Sequence, residues 1–192
     1  MEIEKLREYA KARMSEKRYK HSLGVEKTAA DLAKKYGANE ENARIAGILH
    51  DITKELSYEE QLQYCKEFDI ILDEVENNEP KILHPLTAAY FVKIKLKIDN
   101  EDIFNAIRNH TTARKGMSVL EKIIYLADFI EPNRNFEGVD ELRKIAAEDL
   151  DKAMIEATIM AICEVALKHR MIHNDTVEAL NEGLLKVRLR EM

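Results

Sequence analysis

Tryptophan is absent from this chain of 192 residues, which also holds only six glycines and three prolines. Sandwiches and barrels consume turn residues at short intervals, so this scarcity argues against them and favours helices. Cysteine is nearly missing too. Cys65 and Cys163 are far apart and neither sits in a CxxC pair, which excludes a disulfide framework and a thiolate metal site. Both read as buried free thiols of a reducing compartment. Long apolar runs are lacking: Ile123 to Ile130 is the longest, contains Asp128, and is far too short to span a bilayer. The opening Glu2-Ile3-Glu4-Lys5 is charged and unlike a signal peptide, so a cytoplasmic location with no membrane contact is expected. Net charge is −6 and the basic residues are dispersed, which leaves no electrostatic footprint for nucleic acid. A small phosphorylated substrate stays compatible with that charge, because a bound metal can dominate the local field.

What is there is helical period. Apolar residues are 45% of the chain and recur three and four apart almost throughout. Ile3, Leu6 and Ala10 mark a first helix. Ser15 caps a second that runs to Gly37, a C-terminal stop. Asn39 opens a third, ending near His50-Asp51. Ser57 and Glu60 make a capping box for a fourth, and Ser118 and Glu121 make another. The acidic stretch from Asp69 to Pro80 reads as a loop with one helical turn at most. Pro85 suits the first turn of a helix reaching Lys97. A further helix runs from Asn100 to about His110, and the one begun at Ser118 stops before Pro132. Helices follow at about 140–149, 151–169 and 175–190. No run alternates as a strand would. The expectation is an all-α, single-domain protein over residues 1–192, with the chemistry in about 16–135 and the C-terminal helices, about 140–190, serving as a lid or dimer surface.

The chemistry-bearing residues are four histidines and two aspartates. His50 and Asp51 are adjacent. Neighbours on a helix point about 100° apart, so this pair converges on one centre only at a helix end. His21 follows Arg18-Tyr19-Lys20, His84 precedes Pro85, and His110 precedes Thr111-Thr112. Any one of these histidines alone is an ordinary hydrogen-bonded structural residue. Asp128 lies among Leu126, Phe129 and Ile130, where an ionised carboxylate is costly unless paired or metal-bound. Imidazoles and carboxylates without cysteine suit iron, manganese, cobalt, nickel or zinc. Six donors exceed what one open site needs. They suit two metals with Asp51 as the bridge, His21, His50 and Asp128 on one ion, and His84 and His110 on the other.

Lys54, one turn past His50, is placed to meet a phosphate as a point charge. Arg134 could clamp one bidentately, and Thr111, Thr112 and Arg114 could line the same mouth. Asp51, Lys54 and Arg134 are the expected catalytic set. His169 and His173 stay outside it. The acidic patches Glu40-Glu41, Glu59-Glu60 and Glu74 to Glu79 read as solvated faces, and Tyr125 and Met154 as core.

Taken in order, Arg18-Tyr19-Lys20-His21-Ser22-Leu23-Gly24-Val25, Leu49-His50-Asp51-Ile52-Thr53-Lys54, His84-Pro85-Leu86-Thr87-Ala88-Ala89, Asn109-His110-Thr111-Thr112-Ala113 and Tyr125-Leu126-Ala127-Asp128-Phe129-Ile130-Glu131-Pro132-Asn133-Arg134 resemble the bacterial YqeK family of HD-domain hydrolases. The resemblance covers nearly the whole chain. It implies an HD-type helical bundle, a two-metal centre (often iron), a homodimer, and symmetrical hydrolysis of diadenosine tetraphosphate to two ADP by a metal-activated bridging hydroxide. Two alternatives stay open: another HD-domain phosphohydrolase acting on nucleotide monoesters or triphosphates, and a metal- or nucleotide-binding regulator without turnover.

Overall fold

The computed structural model describes residues 2–191; Met1 and Met192 lie outside the described residues. Its elements are α1 (Ile3–Arg13), α2 (Glu16–Tyr36), α3 (Glu40–Leu49), α4 (Tyr58–Glu67), α5 (Glu74–Asn78), α6 (Leu83–Ile94), α7 (Glu101–Arg108), α8 (Val119–Ile130), α9 (Val139–Glu148), α10 (Leu150–Leu167) and α11 (Asn174–Glu191). No strand occurs among the described residues. The protein is an all-α bundle.

Local chemistry sets the helix ends. The side chains of Ser15, Asn39, Ser57, Asn100 and Ser118 each accept a backbone N–H of the first turn, and Ser57/Glu60 and Ser118/Glu121 form reciprocal capping boxes. Gly37 ends α2 at φ 73°, a left-handed conformation that costs glycine little. The Asp69–Pro80 stretch contains one short helix, α5, capped by Asp73, and a 3-10 turn at Pro80–Ile82 leads directly into α6. Pro85 is the third residue of α6, where its missing N–H is no loss. That helix ends at Ile94 rather than at Lys97, and Lys97 itself has φ 55°.

The core forms where α8 lies against α2, α3, α7 and α10. Ile123, Ile124, Tyr125, Leu126 and Ala127 are all fully buried there. Helices α2 and α3 run especially close. A Cβ on Gly47 would lie 2.7 Å from the Cα of Glu26, so only glycine permits this approach, and the approach brings His50 beside His21.

Candidate metal centre

Five elements deliver the six donors. His21 is in α2, His50 is the C-cap of α3 with Asp51 in the turn that follows, His84 is the second residue of α6, His110 lies just past α7, and Asp128 is in the last turn of α8. The adjacent pair does sit at a helix end, which lets both side chains converge.

Each imidazole is oriented the same way. The Nδ1 atoms of His50, His84 and His110 face the carbonyls of Gly47, Lys81 and Ile107 at 2.7, 2.8 and 2.7 Å. His21 Nδ1 faces Oε1 of Glu131 at 3.1 Å. An acceptor at Nδ1 fixes the proton there and leaves Nε2 as a lone pair. The Nε2 atoms then meet in pairs, His21 with His50 at 3.3 Å and His84 with His110 at 3.1 Å. Asp51 spans both pairs. Its Oδ2 lies 3.8 and 3.4 Å from His21 and His50, and its Oδ1 lies 3.2 and 3.5 Å from His84 and His110. Asp128 Oδ1 adds to the first pair, 2.9 Å from His21 and 3.8 Å from His50.

The electrostatics agree with a site built for cations. Asp51 is buried, and its Oδ1 has no hydrogen-bond donor. An unpaired buried carboxylate oxygen is costly, and a cation at that position would satisfy it together with the facing Nε2 lone pairs. Burial opposes the charge on Asp51, yet the surrounding imidazoles hold its carboxyl well below the usual range. Burial likewise opposes ionised Asp128, and His21 and Arg134 overcome it. Burial and the nearby Lys54 ammonium push His84 down to about 3, which keeps the ring neutral. Burial pushes His110 down as well. His50 moves the other way: burial resists protonation, but Asp51 and Asp128 outweigh it. The six residues therefore fit a metal pair by donor type, tautomer and the orphaned oxygen.

Comparison with known proteins places this arrangement. The HD domain family matches residues 18–133. The symmetrical bis(5′-nucleosyl)-tetraphosphatase of Halalkalibacterium halodurans is 40% identical over 176 residues, 92% of this chain and 94% of its own. The enzyme of the same name from Bacillus subtilis is also 40% identical, over 89% of this chain and 91% of its own. This chain belongs to the YqeK-type HD-domain hydrolases. A crystal structure from Clostridium acetobutylicum, described as a predicted HD superfamily hydrolase involved in NAD metabolism, superposes on this YqeK-type chain with a TM-score of 0.93 at 44% identity, covering 97% of this chain and 98% of the other.

Around the donors of this YqeK-type site stand cations. Lys54 Nζ is 2.8 Å from His84 Nε2 and 4.0 Å from Asp51 Oδ1. Arg134 donates to Asp128 Oδ1 at 2.5 Å and to its carbonyl at 2.7 Å. Thr111 Oγ1 is 3.4 Å from His84 Nε2. Other expected residues go elsewhere. Arg114 is not at the site: Ala113 adopts φ 57° and turns the chain away, and Arg114 pairs with Glu121 at 2.6 and 2.8 Å. Thr112 is buried, its hydroxyl donates to the carbonyl of Ala113, and its own carbonyl accepts from Thr176 of α11. It docks α11 rather than lining the mouth.

Two further expectations need correction. Cys163 is exposed, whereas Cys65 is buried. Glu76 and Glu79 are buried rather than solvated, because Arg108 and Arg170 reach them. Helix α10 borders the site, with Met160, Cys163 and Glu164 lining a cleft that reaches Asp128.

Sequence reasoning passed over two residues. Arg18 donates to Asp51 Oδ2 at 2.7 Å, and buried Glu131 holds His21 while accepting the backbone and side-chain N–H groups of Asn133. Both flank recognised motif positions, but nothing in their spacing announces the contacts.

Proposed function

We propose that this protein hydrolyses diadenosine tetraphosphate symmetrically, giving two ADP. The observation that carries the reading is Asp51 set between two pairs of imidazole Nε2 atoms, in a chain whose relatives are named symmetrical bis(5′-nucleosyl)-tetraphosphatases. His21, His50 and Asp128 would hold one metal, His84 and His110 the other, and Asp51 both. Two cations bound there supply Lewis acidity and a nucleophilic hydroxide near neutral pH. Iron is the metal we assign.

The chain's own residues do the rest. Lys54 Nζ, 2.8 Å from His84 Nε2, stands where its ammonium would offset charge on the equatorial oxygens of the phosphoryl group. Arg134 keeps Asp128 ionised and in place, and its guanidinium is half-buried beside the phosphate path. Thr111 offers a hydroxyl at the same mouth. The leaving group is ADP, whose terminal phosphate has a pKa of roughly 6, so no strong general acid is required. Arg18 anchors the bridging carboxylate.

The reading also includes a cytoplasmic, single-domain protein that forms a homodimer. In support, no helix among the described residues is long and apolar enough to cross a membrane, and the C-terminal helices expose Leu167, Leu185 and Leu189. Sedimentation would test the dimer. The deciding experiment is a product assay of metal-loaded protein against diadenosine tetraphosphate, nucleotide monoesters and triphosphates. ADP as the sole initial product is the expected result. AMP with ATP would overturn the symmetrical assignment, and no hydrolysis of any nucleotide would leave a regulator.

A further inference from the structure

Two hollows of opposite character meet at Asp128 and Phe129. The first is a cleft of ≈ 810 Å³ between the loop after α8 and helix α10, walled by Phe129, Phe136, Met160, Cys163 and Leu167, with Arg134 at its inner end. The second is a cavity of ≈ 290 Å³ that holds His110 and Thr111 and collects Lys54, Lys81, Lys168 and Arg170. Both are lined by Asp128, Phe129 and Glu164, so they form one continuous groove past the metal donors.

Charge divides the groove. Among the described residues Arg134 is the one cation lining the cleft, alongside the carboxylates of Asp128, Glu137 and Glu164. That balance repels a polyphosphate. In the cavity Arg170 already pairs with Glu79 and Lys168 with Glu164, so Lys54 and Lys81 are the cations it offers to a phosphate.

The cleft's apolar wall has the shape for a flat ring. Phe129 is braced by Tyr125, with centroids 5.3 Å apart and planes 20° apart. Phe136 meets Phe129 edge-on at 6.4 Å and 83°, making an open aromatic corner, and Phe136 remains 38% exposed. A Cβ on Gly138 would come 3.0 Å from the Cε of Met160, so a glycine lets this loop close down on the cleft wall.

We infer that the Phe129–Phe136 cleft is the nucleobase subsite. A purine ring stacks in the corner, its ribose and first phosphate pass Arg134, the second phosphorus stands at the metal donors, and the departing nucleotide's phosphates extend toward Lys54 and Lys81. This rests on the hydrolase reading above and names what sets the cleavage position: the distance from the aromatic corner to the donors.

Cys163 provides the test, because it lines the cleft and is exposed while Cys65 is buried. Manganese-loaded protein would be treated with iodoacetamide, with Cys163 alkylation followed by peptide mass mapping. Saturating ADP, checked by calorimetry, slows alkylation of Cys163 at least about fivefold, and saturating pyrophosphate does not. In Phe136→Ala, loss of one stacking surface raises the ADP dissociation constant about tenfold and leaves that of pyrophosphate unchanged. Equal alkylation with and without ADP, equal protection by pyrophosphate, or unchanged ADP affinity in Phe136→Ala would each overturn the subsite. Protected Cys163 in a protein that hydrolyses no nucleotide would uphold the subsite and refute the hydrolase reading, so the two can fail separately.

Discussion

His21 Nδ1 lies 3.1 Å from Glu131 Oε1, joining the second turn of α2 to the end of α8. Gly24 makes this possible, since a Cβ there would lie 2.3 Å from Glu131 Oε2 and 3.3 Å from its Cβ. Gly24→Ala therefore displaces the carboxylate that orients His21. Outer partners of metal-bound histidines are typically worth 10–100-fold in metal affinity, so Gly24→Ala and Glu131→Ala should both weaken metal binding by about that factor. Glu131→Gln, which can still accept from Nδ1, should recover part of it. Metal titration with a competing chelator measures this. Native affinity in both Gly24→Ala and Glu131→Ala would show that the contact does not position the ring.

Asp51→Ala should abolish turnover, because one carboxylate serves both imidazole pairs. Metal content, measured by elemental analysis of protein purified without chelators, should fall from about two ions per chain, while circular dichroism remains helical. Near-normal turnover in a metal-loaded variant would remove Asp51 from the ligand set. Full occupancy with one ion per wild-type chain would remove the dinuclear assignment.

Lys54→Ala should keep both metals and lose roughly a hundredfold in turnover, the usual cost of deleting one charge-stabilising donor. Its ammonium is placed for substrate oxygens rather than for cations. Steady-state kinetics with elemental analysis distinguishes the cases, and unchanged kinetics would make Lys54 a bystander.

Hydrolysis in heavy-oxygen water should label the terminal phosphate of only one of the two ADP molecules formed per turnover. Attack at a single phosphorus requires this, because the other ADP departs with the original bridging oxygen. Mass spectrometry of the initial products reads it directly. Label in both molecules at early times would contradict attack at one centre.

Glu79 accepts the backbone N–H of Met171 at 3.0 Å and a guanidinium N–H of Arg170. Burial opposes its charge, but these donors hold its pKa below the ordinary 4.5. A depressed folded pKa gives stability that is present above the unfolded value and disappears as pH falls through the folded one. Wild-type protein should therefore exceed Glu79→Gln in urea midpoint at pH 7, and the gap should narrow on acidification below 4.5. A gap independent of pH would assign the effect to packing.

Much of this was legible in the chain because it is local. Capping boxes at Ser57/Glu60 and Ser118/Glu121 need only a four-residue window, and the His–His–Asp–His–His–Asp series is conspicuous by residue type. What depends on distant approach was hidden. Arg18 meets Asp51 across 33 positions and Glu131 meets His21 across 110, so neither contact has a sequence period. Arg114 was placed at the mouth on proximity to His110, but the left-handed turn at Ala113 sends it to Glu121. Glu76 and Glu79 looked solvated because their arginine partners are 32 and 91 residues away.

Every proposed metal donor lies within residues 18–133, the segment shared with the HD domain family at large. Phe136, Met160, Cys163 and Arg170, which wall the groove, all come later. Besides the packing of α10 on α8, polar clasps fasten the later segment to the earlier one, Arg170 and Met171 to Glu79, His173 to Asp73, and Thr176 to Thr112. Part of the proposed subsite thus lies beyond the segment that holds the metal donors, so substitutions at Phe136 or Met160 can retune which nucleotide enters without touching a donor.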